Sequence, residues 1–326
     1  MAVSRVVVLT DASRRTGFGH LRRCLTLCEA LSRRGFYSSF VLGEADAAVR
    51  AWMKKQDVPF YCAPLSKPAS MEALCREQSA DIVIVDTYRS NRILLKRLLD
   101  AGLRVLVIDD LADRPLPSTW LTNSALSPGS CVYRRLTKGR LLLGPRYALL
   151  RPGFAGHVRA TGSGRTRNVL VAIGGSDPLG LTPRLLKALA ATSERLHIRA
   201  VLGPLSRRAV GLESRGHCRI EILRDIRDMA SLMRWADVAV AGAGQTLFEL
   251  AAAGCPCVGI RIAPNQKVTM RLFSRIGSAM IVSSAACAVE QALFLLERPA
   301  RRAAMSRRGQ RAVDGRGAER IADALL

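Results

Sequence analysis

Short apolar segments alternate with amphipathic segments along both halves of the chain. Strands are predicted at residues 6–9, 40–42, 82–85, 105–108, 169–173, 198–202, 220–223, 238–241 and 257–260. Helices are predicted at residues 20–33, 91–101, 182–191, 229–235 and 246–253. Strands that are apolar throughout and separated by helices are typical of a parallel sheet covered on both faces. The pattern therefore predicts an α/β protein that contains two Rossmann-like domains.

The boundaries of these domains follow from changes in composition. The length of 326 residues suits two domains, since one domain usually holds roughly 100–200 residues. Residues 112–144 are rich in Pro, Ser and Arg and are predicted to be irregular, and the polar, Gly-rich stretch 156–167 is predicted to be a linker. We expect domains at 1–155 and 156–305 that face each other across a cleft. A C-terminal Arg/Ala-rich helix begins at Pro299, and its part at 306–326 is expected to join the first domain.

The formal net charge of +24 allows three kinds of partner: nucleic acid, an anionic membrane surface and a small anionic substrate. The arginines are scattered along the chain, and aromatic residues make up only 5% of it, so no stacking surface for single-stranded nucleic acid is predicted. We therefore expect no nucleic-acid partner and a small-molecule substrate. Weak attraction to a membrane surface stays open, and the sequence does not indicate an oligomeric state.

Location and cofactors follow from what the sequence lacks. No apolar run approaches the roughly 20 residues that a membrane span needs, and the first ten residues resemble a strand more than a signal peptide. A cytoplasmic location is therefore expected. The nine cysteines lack the paired spacing of a zinc site, and only four histidines are present, so we expect free thiols, no metal and no cofactor.

The first of three Gly-rich strand-to-helix junctions runs from Asp11 through Gly17 and Gly19 to His20. Glycines let a backbone approach a ligand, and a helix N-terminus attracts anions. His20 would lie at that N-terminus. From the sequence alone a structural role and a role as general base are equally compatible with it. Asp11, which is near in sequence, is expected to orient the imidazole.

The other two junctions lie in the second half. Gly174, Gly175 and Ser176 follow the predicted strand at 169–173, and they offer backbone donors for a phosphate. Gly244, Gln245 and Thr246 precede a predicted helix and suit a diphosphate, while Glu249 could accept hydrogen bonds from both ribose hydroxyls. Ordinary turns and an exposed glutamate are the alternatives. Two such loops with a carboxylate favour a nucleotide site.

Several motifs together resemble a known enzyme family. They are Gly17-Phe-Gly-His20-Leu-Arg-Arg23, Val85-Asp86-Thr-Tyr88, Ile108-Asp-Asp-Leu-Ala-Asp-Arg114, Leu143-Gly144-Pro-Arg-Tyr147-Ala-Leu-Leu-Arg151-Pro-Gly-Phe154, Gly174-Gly-Ser-Asp-Pro and Ala263-Pro-Asn265-Gln266. In order and spacing they are similar to the UDP-2,4-diacetamido-2,4,6-trideoxy-β-L-altropyranose hydrolases of pseudaminic acid biosynthesis. Those enzymes share the two-domain GT-B fold of the peptidoglycan N-acetylglucosaminyltransferase. The resemblance extends from Asp11 to about Gln266.

The resemblance implies that UDP binds the second domain and that the sugar occupies the cleft. It implies that His20 activates water, that Tyr88 and Asn265 hold the sugar or assist, and that Glu249 binds ribose. Uracil would be recognised by backbone groups near Ile226. Gly17, Gly19, Arg23 and Gln266, within the shared motifs, are expected to contact the substrate.

The chain also departs from this family. Leu9 stands where the family usually has arginine, Ser124-Ala125 where it usually has Gln-Asn, and Gln245 where a small residue is more typical. The identity of the sugar is therefore left open.

The sequence thus predicts inverting hydrolysis of a UDP-linked amino sugar, with backbone donors that stabilise the leaving diphosphate. Three alternatives stay open: a GT-B glycosyltransferase in which His20 deprotonates an acceptor hydroxyl, a UDP-sugar epimerase, and a nucleic-acid binder that is supported by charge alone.

Overall fold

The structure is a computed structural model, which describes residues 4–13, 18–126, 131–155, 167–175, 177–203, 206, 217–224, 226 and 228–326. The chain divides into two compact units. Unit 1 comprises Met1–Leu149 and Arg316–Leu326, and unit 2 comprises Leu150–Gly315. Of the sequence-predicted site residues, Gly17 and Ser176 lie outside the described residues, as do positions 156–166 of the predicted linker.

Unit 1 is built on one parallel sheet. Its described strands are β1 (Arg5–Ala12), β2 (Tyr37–Ala45), β3 (Phe60–Cys62), β4 (Ile82–Asp86), β5 (Arg104–Ile108), β6 (Trp120–Asn123) and β7 (Arg140–Leu143). The helices between them are α1 (Gly19–Ser32), α2 (Ala47–Met53), α3 (Pro68–Glu77) and α4 (Arg92–Asp100). The strand order is β3-β2-β1-β4-β5-β6-β7, and every pair is parallel.

Local sequence explains why these elements form. Every residue of β4 is buried, as expected for a central strand with helices on both faces. In α4, the Asn91 side chain accepts a hydrogen bond from the Leu94 amide, and Leu94, Leu95 and Leu98 form its buried face. These leucines pack with Val83 and Val85 in the core of the unit.

The order of the strands places a crevice in unit 1. The chain goes from β1 outward to β3 and then returns to the other side of β1 with β4. In open α/β sheets this reversal leaves a crevice at the carboxyl ends of the two central strands, where ligands bind. The loops after β1 and β4 therefore mark the expected binding edge.

Unit 2 repeats this arrangement. Its elements in chain order are β8 (Arg167–Ala172), α5 (Leu181–Ala190), β9 (Leu196–Val201), β10 (Arg219–Leu223), α6 (Met229–Trp235), β11 (Val238–Gly242), α7 (Gln245–Ala252), β12 (Cys257–Ile260), α8 (Lys267–Ile276), β13 (Ala279–Val282), α9 (Ala285–Leu296) and α10 (Pro299–Ala312). The sheet is parallel with order β10-β9-β8-β11-β12-β13. The reversal here lies between β8 and β11. Each unit is thus Rossmann-like, as predicted.

Several elements were not predicted from the sequence. The stretch 112–144, expected to be irregular, contains β6 and β7. These two strands are only four residues long, and the Pro, Ser and Arg around them hid their apolar cores. The strands β3 and β13 were missed as well, together with the helices α2, α3, α8 and α9.

The C-terminal segment is two helices rather than the single helix that was predicted. Between α10 and α11 (Gly317–Leu325), Gly315 adopts φ +76°, which L residues rarely adopt, and this interrupts the helix. α10 belongs to unit 2 and α11 to unit 1. α11 packs on α1, where Arg34 donates to Glu319 Oε2 at 2.6 Å and its Nε donates to Asp323 Oδ1 at 2.8 Å.

Among the described helices, none has the length and apolar character to cross a bilayer.

We expect the packing of α11 against the segment around Ala148 to require glycine at position 317. A Cβ at this position would lie 2.1 Å from the Ala148 carbonyl oxygen, a contact that forces the backbone apart. Gly317→Ala should therefore lower the free energy of unfolding of unit 1 by about 2 kcal/mol, measured by urea unfolding. Gly153→Ala is the control, because its Cβ would meet only Ala230 Cβ at 3.6 Å. Equal stability of the two variants would contradict the packing described here.

Candidate active site

Polar side chains gather at the crevice of unit 1, where β1, β4 and β5 end. Asp86 is the last residue of β4, and Asp110 follows β5. His20 lies on the first turn of α1, and Arg23 lies one helical turn further along the same face. The helix follows β1 and so brings both side chains to the carboxyl edge of the sheet.

His20 and Asp86 form a short buried pair. His20 Nδ1 lies 2.6 Å from Asp86 Oδ1, and the two side chains are 10% and 0% exposed. A carboxylate oxygen at this distance accepts the Nδ1 proton, so Nδ1 carries the hydrogen and a neutral ring keeps its free lone pair on Nε2. The pair therefore orients the imidazole and leaves Nε2 as the atom that can accept a proton.

Arg23 holds the two carboxylates of this cluster. It donates to both oxygens of Asp86, with Nε at 2.7 Å from Oδ2 and Nη2 at 2.6 Å from Oδ1, and it donates to both oxygens of Asp110 at 2.9 Å. Arg23 Nη2 also lies 3.2 Å from His20 Nδ1. Because Nδ1 already donates to Asp86, His20 Nδ1 and Arg23 Nη2 are both donors and form no hydrogen bond with each other.

The charges of the cluster set its protonation. Burial alone would raise the pKa of Asp86, but the charge of Arg23 and the hydrogen bonds from Arg23 and His20 outweigh it and hold that pKa well below its usual range. Burial likewise opposes ionisation of Asp110, whose pKa is nevertheless lowered by Arg23. With both carboxylates ionised, Asp86, Asp110 and Arg23 together carry one net negative charge. A proton on His20 would bring them to neutrality.

Tyr88 completes the cluster. Its hydroxyl donates to Asp110 Oδ2 at 3.1 Å, and its ring packs edge-on against His20 with centroids 4.7 Å apart and planes at 89°. The structure thus brings three sequence-predicted residues together: His20, Arg23 and Tyr88. Gly19 begins α1 beside them, and a Cβ there would meet nothing within 4 Å, so the backbone at this point borders open space.

The expected contact between Asp11 and His20 is wrong. Asp11 accepts a hydrogen bond from Thr87 Oγ1, and its Oδ1 lies against Gly43 of β2, where a Cβ would be 2.6 Å away. The register of β1 on β2 shifts between Thr10 and Ala12, and this irregularity includes Asp11. The carboxylate that orients His20 is Asp86.

Asp86 and Asp110 belong to this cluster, but the sequence analysis assigned no role to them. The available signal was an acidic residue at the end of each of two apolar segments: Asp86 directly follows 82–85, and Asp110 is the second residue after 105–108. Residues in that position point to the carboxyl edge of a parallel sheet, where ligands bind.

The predicted phosphate loops of unit 2 lie at its own crevice. Gly174 and Gly175 follow β8, and Gly174 adopts φ +126°. Gly244 caps α7 after β11. A Cβ on Gly242 would lie 2.3 Å from the Ile173 carbonyl oxygen, so the two loops leave neighbouring strands in close backbone contact. Gln245 and Thr246 form the first turn of α7, where backbone N–H groups lack helical partners.

Gln266 connects this crevice to the loop after β12. Its Oε1 accepts a hydrogen bond from the Ile262 amide at 2.9 Å, and a Cβ on Gly244 would lie 3.1 Å from its Nε2. The structure therefore brings the predicted residues Gly174, Gly244 and Gln266 around Ile262, whose Cδ1 would be 3.8 Å from a Cβ on Gly174.

Three further predicted residues also belong to unit 2. Glu249 lies one turn into α7, and Arg151 Nη2 is 3.7 Å from its Oε1. Arg151 lay in the shared motifs without an assigned role. Asn265 is exposed in the 3₁₀ turn Pro264–Gln266. Ile226 is partly buried between β10 and α6. Among the described residues no group of three or more His, Cys, Asp or Glu side chains has the arrangement of a metal site.

Comparisons with known proteins show the fold. No family model matches the sequence. The chain is 23% identical over 333 residues to the spore coat polysaccharide biosynthesis protein SpsG of Bacillus subtilis strain 168, covering 97% of this chain and 96% of that protein. It is 25% identical over 272 residues to the uncharacterised protein MJ1062 of Methanocaldococcus jannaschii, covering 78% of this chain and 55% of that protein.

Solved structures agree over nearly the whole chain. MurG of Acinetobacter baumannii superposes with a TM-score of 0.73 at 17% identity, over 98% of this chain and 99% of MurG. Anabaena Alr3699/HepE, solved with UDP and glucose, superposes with a TM-score of 0.62 at 13% identity, over 98% of both chains. The chain is therefore an α/β protein with the GT-B fold of these glycosyltransferase-like structures.

Arg23 is expected to stabilise the cluster in a pH-dependent way. Arg23→Met leaves the buried Asp86 and the partly buried Asp110 without their cation and should cost about 3 kcal/mol at pH 7. The lowered pKa of Asp86 gives the wild type stability above the unfolded value of about 4, and this is lost as pH falls below it. In the variant the buried carboxyls take up protons more readily. The stability difference should therefore shrink between pH 7 and pH 4.

Urea unfolding at pH 7, 5 and 4 measures this difference. Arg22→Met is the control, since Arg22 is the exposed neighbour on the same helix. A difference for Arg23→Met that stays constant over this range would contradict the charge assignment.

Proposed function

We propose that this protein is a nucleotide-sugar hydrolase of glycan biosynthesis, which removes UDP from a UDP-linked 2,4-diacetamido-2,4,6-trideoxy sugar. The observation that carries the proposal is the buried His20–Asp86 pair at the crevice of unit 1, which leaves Nε2 as a proton acceptor. The reaction is water attack on the anomeric carbon with inversion, as the sequence resemblance implies. We place the enzyme in the cytoplasm.

The cluster suits general base catalysis of this step. A water molecule attacks the anomeric carbon and transfers a proton to His20 Nε2, while the bond from that carbon to the diphosphate oxygen breaks and UDP leaves with the electron pair. Asp86 stabilises the imidazolium through Nδ1, as a carboxylate does for histidine in hydrolytic triads. Tyr88 restrains the ring from its edge, and we assign to it and to Asn265 a role in holding the sugar.

The nucleotide is assigned to unit 2. Backbone N–H groups at Gly174 and Gly175 and at the start of α7 would bind the diphosphate and stabilise the charge that develops as it leaves. Thr246 supplies a hydroxyl on the same turn, and Glu249 would accept hydrogen bonds from the ribose. Ile226 marks the expected uracil position. Donors of this kind are preorganised, which is what makes them effective in a transition state.

The comparisons support the coarser part of this proposal. SpsG bears the name of a polysaccharide biosynthesis protein and aligns over almost its full length, and HepE was solved with UDP and glucose. Together they support an enzyme of GT-B type that acts on nucleotide sugars in glycan biosynthesis. Its partner is accordingly a small UDP-sugar, with no nucleic acid and no stable membrane insertion.

The second candidate is a GT-B glycosyltransferase, which the likeness to MurG favours. The same nucleotide site would serve it, and His20 would deprotonate a sugar acceptor instead of water. The two reactions differ in their requirement for an acceptor.

Hydrolysis without an acceptor is the first expected result. A panel of UDP-amino sugars in ¹⁸O-water should give stoichiometric free sugar with ¹⁸O on its anomeric oxygen, unlabelled UDP, and the inverted anomer as the initial product by NMR. Label in UDP instead of the sugar would mean attack at phosphorus. Turnover that depends strictly on an added acceptor would favour the transferase.

His20→Asn should lower kcat by about 10²- to 10⁴-fold, the usual contribution of a positioned general base. Affinity for UDP, measured by calorimetry, should change little because the nucleotide is assigned to unit 2. The matched control is His217→Asn, since His217 is an exposed histidine of unit 2. Turnover of His20→Asn at the rate of the control would refute the assignment.

A further inference from the structure

Unit 2 contains a groove of about 1100 Å³ along β13, outside the candidate nucleotide site. Its walls come from three helices: Met270 and Ser274 of α8, Cys287 of α9, and Met305 of α10. Sulfur-containing and small side chains of this kind form an adaptable, partly apolar surface. We call this cavity the β13 groove.

The groove follows the free edge of the sheet. β13 pairs with β12 on one side, and among the described strands it has no neighbour on the other. Met280 and Ile281 both line the groove, although successive strand residues point to opposite faces. A cavity that meets both must lie at the strand edge, where outward peptide N–H and C=O groups offer a template for another strand.

The charge around the β13 groove is strongly positive. Arg261, Arg301 and Arg308 line it, against one acidic residue, Glu290. No ion pair joins these three arginines to a carboxylate in the described part of the chain. The neighbouring helices add to the positive field, since α8 carries three basic residues, α10 carries three besides Arg301 and Arg308, and neither helix carries an acidic one.

We propose that the β13 groove binds an extended acidic segment of a partner protein, which adds to the sheet as a strand beside β13. Backbone hydrogen bonds to the strand edge would supply affinity, as in other cases of strand addition. Carboxylates on one face of the added strand would pair with Arg301 and Arg308. Apolar side chains on its other face would contact Met270 and Met280. This inference is independent of the proposed hydrolase activity.

Other occupants fit the groove less well. A second copy of this chain would bring six of these arginines to one interface, which is repulsive. A bilayer surface would need apolar side chains that project outward, but the large exposed apolar residues of the described chain, such as Ile93 and Leu179, lie elsewhere. Concavity, a free strand edge and positive charge together favour an acidic peptide.

Cys287 provides a direct reporter of occupancy. It is exposed in the groove, whereas Cys62 and Cys131 are exposed in unit 1. The probe is the acetylated, amidated heptapeptide Glu-Val-Glu-Val-Glu-Val-Glu, added to the full chain during labelling with iodoacetamide. Mass spectrometry should show slower modification of Cys287 by about tenfold at saturation, with unchanged rates at Cys62 and Cys131. The same peptide with alternate N-methylated amides should not protect, because it cannot complete a strand ladder.

Charge variants complete the test. Arg301→Glu and Arg308→Glu should each lower the affinity for the peptide by about tenfold or more, since each variant loses a charge-assisted contact. Arg307→Glu, on the same helix but outside the groove lining, should bind nearly as the wild type does; thermal melting checks that all three are folded. The proposal would be overturned if the N-methylated peptide protected Cys287 equally well, or if Arg307→Glu lost as much peptide affinity as the other two variants. It would also be overturned if phosphatidylserine vesicles protected Cys287 and the peptide did not.

Discussion

A buried carboxylate needs a cation, and the cluster in unit 1 is organised by this requirement. Asp86 is wholly buried at the end of a central strand, where water cannot solvate its charge. Arg23 supplies the counter-charge with two hydrogen bonds to Asp86, and it donates two more to Asp110. Because Asp86 thereby stays ionised, it can hold the Nδ1 proton of His20. The proposed base thus depends on the arginine one helical turn away.

Ordinary strand-to-helix loops of the fold bring the side chains of the cluster together. In each unit the strand order reverses once, and the loops after the two central strands converge at that point. In unit 1 they bring a histidine and carboxylates, which suit proton transfer. In unit 2 they bring glycines and a helix start, which suit phosphate oxygens. The same architecture therefore offers two different chemistries, and the composition of the loops decides which one each unit has.

The sequence was sufficient for the α/β class and for the loops, since buried parallel strands and Gly-rich junctions leave local signals. It was insufficient for the pairing within the site. His20 and Asp86 are 66 positions apart, and their contact depends on β4 lying beside β1, which no local pattern encodes. Asp11 was expected to be the partner because it is near in sequence, but Asp11 accepts a hydrogen bond from Thr87 instead. Short strands such as β6 were also missed, because polar residues flank their few apolar positions.

The tautomer of His20 tests the central claim most directly. A long-range ¹H–¹⁵N correlation spectrum of the full chain at pH 7.5, with the His20 signal assigned by its absence in His20→Asn, distinguishes the two ring nitrogens. We expect a proton on Nδ1 and a bare Nε2, with the preference lost in Asp86→Asn. A proton on Nε2 with a bare Nδ1 that accepts from Arg23 would contradict the account, because the ring would then have no base directed away from the cluster.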